Sequence, residues 1–173
     1  MPFQFDDLDT LTRLLEAHRG EVAAVVLGAP HDSETSAEHL ATIREPAHDH
    51  GALLVWDEVV TGFRLALGGA HEHLGVIPDL AVFAKAMANG FPVAAVVGRS
   101  EVMQVTERLM ITETYGGEAL SLAACVATVH EYRERDVISC FWRLGQRLID
   151  GLNAAAEEVC VSGEATAPTD GRN

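Results

Sequence analysis

The sequence predicts an α/β fold in which a mostly parallel sheet is flanked by helices. Short apolar runs alternate along the chain with longer stretches in which apolar residues recur at helical spacing. Unbroken apolar runs are typical of strands buried on both faces, and their alternation with helices is typical of parallel sheets. The 173 residues are enough for one domain or for part of a larger one.

The first half of the chain predicts two helices and two strands. Residues 6–17 carry leucines at helical spacing behind an acidic start, which suits the amino end of a helix. Residues 22–27 and 52–56 predict buried strands. Between them, residues 36–49 predict a helix that Pro46 should kink or shorten, because proline lacks the backbone N–H that a helix interior uses.

The second half continues the same alternation. Two further strands are predicted at residues 79–84 and 93–97, and the first of them leads directly into Lys85. The remaining helices are predicted at residues 100–109, 118–134 and 136–155.

Composition and charge argue against several classes of partner. The formal net charge of −14 disfavours nucleic acid and anionic membrane surfaces, because both require basic patches. No signal-peptide pattern is found, and no apolar run approaches the roughly 20 residues that span a bilayer. The cysteines Cys125, Cys140 and Cys160 are widely spaced, which indicates reduced thiols. We therefore expect a cytoplasmic protein with no nucleic-acid or membrane partner.

Two charged residues stand directly after predicted strands. Asp57 follows the strand at residues 52–56, and Lys85 follows the strand at residues 79–84. In parallel sheets, functional groups gather at the carboxyl ends of strands, so these side chains are candidates for a shared site. The spacing between them is enough for one crossover between neighbouring strands. The alternative is that both are solvated residues at strand ends.

Three segments around these residues carry a family pattern. They read GALLVWDEVVTGFRLALGG at residues 51–69, GVIPDLAVFAKAMANGFPVAAVVG at residues 75–98 and TETYGGEALSLAA at residues 112–124. In this order they resemble the class III aminotransferases, which depend on pyridoxal 5'-phosphate (PLP), and especially the glutamate-1-semialdehyde 2,1-aminomutase branch. The resemblance covers about residues 3–155. It implies part of the large domain of a fold type I PLP-dependent transferase.

The resemblance implies a role for each residue of the candidate site. Lys85 would be the catalytic lysine that binds PLP as a Schiff base and later carries a proton between two carbons of the substrate adduct. Asp57 would pair with the pyridine nitrogen and keep it protonated. Val60 would lie near the edge of the cofactor ring, where an apolar residue is more like the aminomutase branch. Thr114 would reach the cofactor phosphate of a neighbouring subunit, together with backbone N–H groups near Gly116.

Two features have alternative interpretations. Thr114 is also a candidate N-cap for the helix that follows it, and this role is compatible with phosphate binding. The His-x-His pairs, His48 with His50 and His71 with His73, suggest a metal site. Residues two apart do not share a helix face, however, so solvated helix surfaces are the preferred interpretation and no metal is expected.

Several parts of the family pattern are not found in the sequence. They are the Ser/Gly-rich loop for the cofactor phosphate, the aromatic residue that stacks on the ring, and the arginine for the substrate carboxylate. Gly28 and Ala29 also stand where the family has a Glu-Pro pair. The predicted organisation is the carboxyl-terminal part of the PLP-binding domain at residues 1–135, the start of a small domain at 136–160 and a disordered tail at 161–173.

The sequence thus predicts a truncated PLP-dependent aminotransferase or aminomutase. Its substrate would be a small amino, keto or semialdehyde compound, and it would act as a homodimer or with a complementing chain. The alternative is a catalytically inactive remnant or interaction module of the same fold.

Overall fold

Within the described residues, four strands form one sheet. β1 (Ala24–Gly28), β2 (Leu53–Asp57) and β3 (Leu80–Phe83) are parallel, and β4 (Ala95–Gly98) runs antiparallel to β3, in the spatial order β1-β2-β3-β4. The predicted α/β class and mostly parallel sheet are confirmed. β4 is reversed because the segment 84–94 before it contains only a short 3-10 turn, whereas a parallel connection needs a longer crossover. The computed structural model describes residues 1–5, 7–29, 37–111, 114–159 and 165–166.

The described residues form six α-helices, most of them close to the predicted positions. The predicted helix at residues 100–109 is wrong, since only its first turn is α-helical and a 3-10 segment, Gln104–Arg108, follows. None of these residues is buried, and a helix without a packed face has little to stabilise it. The helices are α1 (Leu8–Ala17), α2 (Ala37–Asp49), α3 (Ala70–Leu74), α4 (Ser100–Met103), α5 (Ala119–Glu134) and α6 (Val137–Glu158).

Pro46 does not shorten α2, so the shortening named in the prediction is wrong. The helix continues to Asp49, and the Pro46 carbonyl accepts the N–H of His50 at 3.2 Å. A proline in the last turn removes only one helical hydrogen bond. Burial of Leu40 and Ile43 on the same helix offsets that loss.

The main core lies between β1, β2 and the first two helices. Leu15, Leu40, Ile43, Leu54 and Trp56 are each 2% exposed or less. Burying a side chain of this size contributes about 1.5–3 kcal/mol. A second, smaller cluster consists of Ala81, Phe83 and Met87, with Phe63, Val93, Ala95 and Cys125 packed against it.

A side-chain cap fixes the start of α1. Asp7 Oδ1 accepts the N–H of Thr10 at 2.9 Å, and its other oxygen accepts the Thr10 hydroxyl at 2.6 Å. These hydrogen bonds hold the pKa of Asp7 below its usual value. The predicted acidic helix start is confirmed at this residue, while Asp6 lies outside the described residues.

The start of α5 is capped by Glu118. Its carboxylate accepts the N–H groups of Leu120 and Ser121, both at 2.7 Å. The alternative that Thr114 is the N-cap of this helix is therefore wrong, because Glu118 occupies that position and is long enough to reach both amides.

The carboxyl-terminal helix α6 has no buried residue. It follows a break at Asp136, where φ is 47°, next to the predicted domain boundary. That residues 136–160 begin a second domain stays a prediction. Cys160 and the predicted tail at 161–173, apart from residues 165–166, lie outside the described part. No described helix is both long and apolar enough to cross a membrane.

Candidate active site

The carboxyl ends of β2 and β3 bring together three of the five predicted site residues. Asp57 is the last residue of β2, and Lys85 begins the 3-10 turn after β3. Asp57, Val60 and Lys85 line one cavity of about 880 Å³. Neighbouring parallel strands end at the same edge of a sheet, which is why residues distant in sequence meet here.

The rest of the cavity wall is mostly apolar. It comes from the amino-terminal segment, α1 and the whole length of β1, with side chains such as Phe3, Leu14 and Val26. Val26 and Val60 are 63% and 59% exposed. An apolar wall beside one amine and one carboxylate suits a flat aromatic ligand with polar groups at its edge.

The backbone at Lys85 lies in the left-handed region, with φ of 44°. This conformation costs a non-glycine residue about 1–2 kcal/mol. The N–H groups of Ala88 and Asn89 donate to the Lys85 carbonyl at 3.3 and 3.0 Å, so the following turn holds the strained residue in place. Strain of this kind is concentrated at functional sites.

Lys85 is also the only lysine among the 12 Lys and Arg residues of the sequence. This count is a signal in the sequence that supports Lys85 independently of the strand pattern. A chain that otherwise uses arginine for its positive charges has its single primary side-chain amine at the cavity.

The backbone around Asp57 orients its carboxylate. The Val59 N–H donates to Asp57 Oδ1 at 2.9 Å, and the Asp57 carbonyl accepts the Ala29 N–H at 2.9 Å. The Asp57 side chain is exposed at the cavity, whereas the next residue, Glu58, is fully buried. Consecutive residues of a strand point to opposite faces, which separates the two carboxylates.

The buried carboxylate of Glu58 was missed by the sequence prediction. It accepts the N–H groups of Ala70 and His71, both at 2.9 Å, and the hydroxyl of Thr61. His71 Nδ1 lies 3.2 Å from the same carboxylate. A buried charge requires such donors in place of water. Glu58 therefore ties the residues after β2 to the start of α3.

A second buried carboxylate, Asp79, lies just before β3. Asp79 Oδ2 accepts the Leu54 N–H at 2.7 Å and lies 2.7 Å from His48 Nε2, and Arg99 Nη1 donates to Asp79 Oδ1 at 3.0 Å. Burial raises the pKa of Asp79, but the three hydrogen bonds outweigh burial and hold the pKa below its usual value. Asp79 joins β2, α2 and the end of β4 to the start of β3.

The interpretation of the histidine pairs as solvated helix surfaces is wrong, because none of the four side chains is fully exposed: Nε2 of His50 is buried and His73 stacks on Trp142. His48 contacts Asp79 and His71 contacts Glu58, and their side chains are 33% and 25% exposed. A buried carboxylate attracts an imidazole that would otherwise face water. Within the residues that the structure describes, no group of three or more His, Cys, Asp or Glu side chains is arranged to hold a metal ion.

Thr114 and Gly116 lie apart from the cavity. Both are exposed in the turn before α5, and neither belongs to the cavity wall. Residues 112–113 lie outside the described residues. The structure thus does not bring Thr114 or Gly116 to Lys85 within one chain, and their predicted role toward a neighbouring subunit stays a prediction.

The fold is that of PLP-dependent transaminases. One similar solved structure is the PLP internal aldimine form of the FumI protein from Sphingopyxis sp. MTA144, with a TM-score of 0.81 and 29% identity, over 91% of this chain and 40% of that one. Another is an omega-transaminase from Sphaerobacter thermophilus, with a TM-score of 0.79 and 31% identity, over 96% of this chain and 40% of that one.

The chain belongs to the class III aminotransferase family, whose family model matches residues 6–164. Its relatives include glutamate-1-semialdehyde 2,1-aminomutase of Halobacterium salinarum, 39% identical over 166 residues, and 3-aminobutyryl-CoA aminotransferase of Cloacimonas acidaminovorans, 38% identical over 143 residues. The matches cover 91% and 79% of this chain but only 37% and 34% of those proteins. The predicted family is confirmed, and the chain spans little more than a third of these relatives.

Proposed function

We propose that this chain carries the cofactor-attachment part of a PLP-dependent aminotransferase or aminomutase. The observation that carries the proposal is that the only lysine and Asp57 line one cavity from the ends of two neighbouring parallel strands. Family membership and solved relatives named with PLP support PLP as the group that fits there. Lys85, Asp57 and the apolar Val60 are the residues that would hold it.

When bound, PLP supplies an electron sink for negative charge that develops on a substrate carbon. The Lys85 amine would attach the cofactor and would move the proton from that carbon to a second carbon of the substrate–cofactor adduct. The Asp57 carboxylate would hold a proton at the ring nitrogen. The Val59 N–H donates to Asp57 Oδ1 and keeps this carboxylate in one orientation. Val60 offers no hydrogen bond and gives one edge of the site an apolar surface.

The proposed substrate is a small amino, keto or semialdehyde compound. The names of the relatives, which include glutamate-1-semialdehyde and 3-aminobutyryl-CoA, support this class. No arginine lines the cavity in the described part of the chain. Positively charged groups that bind a substrate carboxylate would come from further polypeptide. In a cytoplasmic homodimer, Thr114 and Gly116 would contact the cofactor phosphate of the second subunit.

A second candidate function is an inactive remnant or interaction module of this fold. Gly28 and Ala29 replace the Glu-Pro pair of the family. Exposed apolar side chains at the cavity, such as Val26 and Val60, also suit a docking surface. This candidate predicts a folded chain that shows no transaminase activity with any amino donor.

The proposal is tested by trapping PLP on Lys85. Incubation with millimolar PLP followed by borohydride should leave a phosphopyridoxyl group on Lys85, detected by peptide mass spectrometry. Lys85→Arg keeps the positive charge but lacks a nucleophilic amine, so labelling at this position should be lost. Since no other lysine exists, the only competing amine is the chain's amino terminus, which peptide mapping separates. Absence of labelling at Lys85 in the wild type would refute the proposal and favour the remnant.

Asp57→Asn is expected to weaken PLP binding by about 10- to 100-fold, because a hydrogen bond to a charged group contributes about 1.5–3 kcal/mol. Dissociation constants follow from the yield of trapped Lys85 as PLP is varied. Asp150→Asn, which makes the same change on the exposed face of α6, is the matched control. Equal affinities of the two variants for PLP would argue against a role for Asp57.

A further inference from the structure

We propose that Glu58 is a positioning residue that fixes the orientation of the Asp57 carboxylate. This inference rests on the proposed function of Asp57. Glu58 is 0% exposed and does not line the cavity, so it would not touch the cofactor or the substrate. It acts through the peptide group that joins it to Val59.

The peptide group between Glu58 and Val59 is held on both sides. Its carbonyl oxygen accepts the Gly62 N–H at 2.8 Å, and its N–H donates to Asp57 Oδ1 at 2.9 Å. A peptide group is planar, so its two ends rotate together. A rotation of this one plane would break the contact with Gly62 and release the Asp57 carboxylate at the same time.

The Glu58 side chain anchors this plane from the buried side. Its carboxylate contacts Thr61 at the beginning of the following segment and Ala70 and His71 at its end. One buried group therefore closes residues 61–71 into a loop. The turn that carries Val59 leads directly into this loop.

Two glycines lie where Glu58 approaches the backbone. A β-carbon at Gly69 would lie 2.5 Å from Glu58 Oε2, and one at Gly62 would lie 2.7 Å from the Glu58 carbonyl oxygen. Real β-carbons do not approach oxygen atoms so closely. A side chain at position 62 or 69 would therefore clash with Glu58, and glycine at both positions leaves space for the Glu58 carboxylate and carbonyl group.

Only a carboxylate accepts all of these donors. Both oxygens of Glu58 receive a backbone N–H, from Ala70 on Oε2 and from His71 on Oε1. A glutamine amide has one acceptor oxygen and one NH₂ donor group. In either orientation, Glu58→Gln places the NH₂ group against a backbone N–H, so the variant keeps the size of the side chain and loses the anchor.

The test compares Glu58→Gln with Asp79→Asn in the absence of PLP. Asp79 is an equally buried carboxylate with a backbone N–H donor, but it lies at the amino end of β3 and does not line the cavity. Amide hydrogen exchange measured by NMR should accelerate about 10-fold or more at Val59 in Glu58→Gln. In Asp79→Asn, the exchange rate of the Val59 amide should change by less than about 2-fold after correction for the higher rate of global unfolding.

PLP trapping provides the second readout. The dissociation constant measured on Lys85 should rise about 10-fold in Glu58→Gln and stay near the wild-type value in Asp79→Asn, after correction for the unfolded fraction. Unchanged exchange at Val59 in Glu58→Gln, or equal acceleration in Asp79→Asn, overturns the inference. The exchange measurement needs no PLP, so a wild type that fails to bind PLP refutes the proposed function while exchange still decides the effect of Glu58 on the Val59 amide.

Thr61→Val keeps the inference testable if Glu58→Gln does not fold. This substitution removes one donor to Glu58 and conserves the shape of a side chain that is 3% exposed. It should accelerate exchange at Val59 by about 3-fold, the effect of one weakened hydrogen bond. Exchange at the wild-type rate would overturn the inference.

Discussion

Replacing Asp79 with alanine is expected to lower the free energy of unfolding by about 3 kcal/mol. The substitution leaves the buried Leu54 N–H without its acceptor and removes the partner of His48 and Arg99. An unsatisfied buried donor costs about 1–3 kcal/mol. The side chain of Arg99 is 50% exposed and can be hydrated once Asp79 is removed. Loss of the Arg99–Asp79 ion pair therefore contributes less to the destabilisation than loss of the Leu54 hydrogen bond. Urea denaturation followed by circular dichroism measures the change.

Two further variants separate the contributions of the Asp79 contacts. Asp79→Asn keeps an oxygen that accepts the Leu54 N–H but removes the charge, so about half of the loss is expected. Arg99→Ala leaves the contact with Leu54 intact and should cost less than about 1 kcal/mol, because the pair is accessible to water on one side. If Arg99→Ala destabilised the protein as much as Asp79→Ala, the ion pair rather than the buried amide would carry the effect.

The same carboxyl group gives an expected pH dependence. Burial raises the pKa of Asp79, but the hydrogen bonds from Leu54, His48 and Arg99 leave it lowered in the folded state. A carboxyl group whose folded pKa lies below its unfolded value of about 3.9 stabilises the protein above that pH, and this stabilisation is lost as the pH falls through the folded pKa. The gap in unfolding free energy between wild type and Asp79→Ala should therefore narrow below about pH 4. A gap that stayed constant into acid would contradict the lowered pKa.

Gly98→Ala is expected to destabilise the protein by about 3 kcal/mol or more, as overpacking against backbone does. A β-carbon at Gly98 would lie 2.2 Å from the carbonyl oxygen of Asp79 and 2.6 Å from Leu80 Cδ2. Gly98 pairs with Leu80 across β3 and β4, so the added methyl group forces these strands apart. The hydrogen bond from the Arg99 N–H to the Asp79 carbonyl, 2.9 Å long, breaks with them.

Gly28→Ala is the matched control for this prediction. Gly28 is the last residue of β1, as Gly98 is of β4, and a β-carbon at Gly28 would meet no atom within 4 Å. The expected change in unfolding free energy is within about 0.5 kcal/mol. Similar decreases in unfolding free energy for the two variants, measured by thermal or urea unfolding, would contradict this prediction. The destabilisation would then come from replacing any strand glycine and not from the clash with Asp79.

The strands and the placement of Asp57 and Lys85 could be predicted because they depend on local pattern. A run such as ALLVW at residues 52–56 is apolar throughout, and the residue after it must lie at a strand end. The geometry of a parallel sheet then brings the two strand ends to one edge. No side-chain contact has to be known for this step, and the family resemblance adds the chemistry.

The roles of Glu58 and Asp79 could not be predicted in the same way. Their donors are the Ala70, His71 and Leu54 amides, which reach them only after the chain has folded. A charged residue is usually solvated, so burial was not the expected outcome. One signal was present: alternation along a strand places consecutive residues on opposite faces, so the two acids at residues 57–58 could not both face the cavity.

The direction of β4 and the failure of the helix at residues 100–109 also depend on tertiary context. The apolar run at 93–97 predicts a strand but gives no direction, which here follows from the short connection after β3. The sequence of residues 100–109 predicts a helix. None of its helical side chains is buried, however, and the α-helix ends after one turn.

The adjacent acids at the end of β2 have a consequence for how that strand can align. A slip of one residue in its pairing with β1 and β3 would exchange the two faces of the strand. The shorter Asp57 would then enter the buried position and fail to reach Ala70 and His71, while Glu58 would project into the cavity. Only one alignment gives each acid its partners. A one-residue insertion or deletion within β2 is therefore expected to remove the proposed contact of Asp57 with the cofactor and the loop anchor together, whereas the same change in an exposed turn would remove neither.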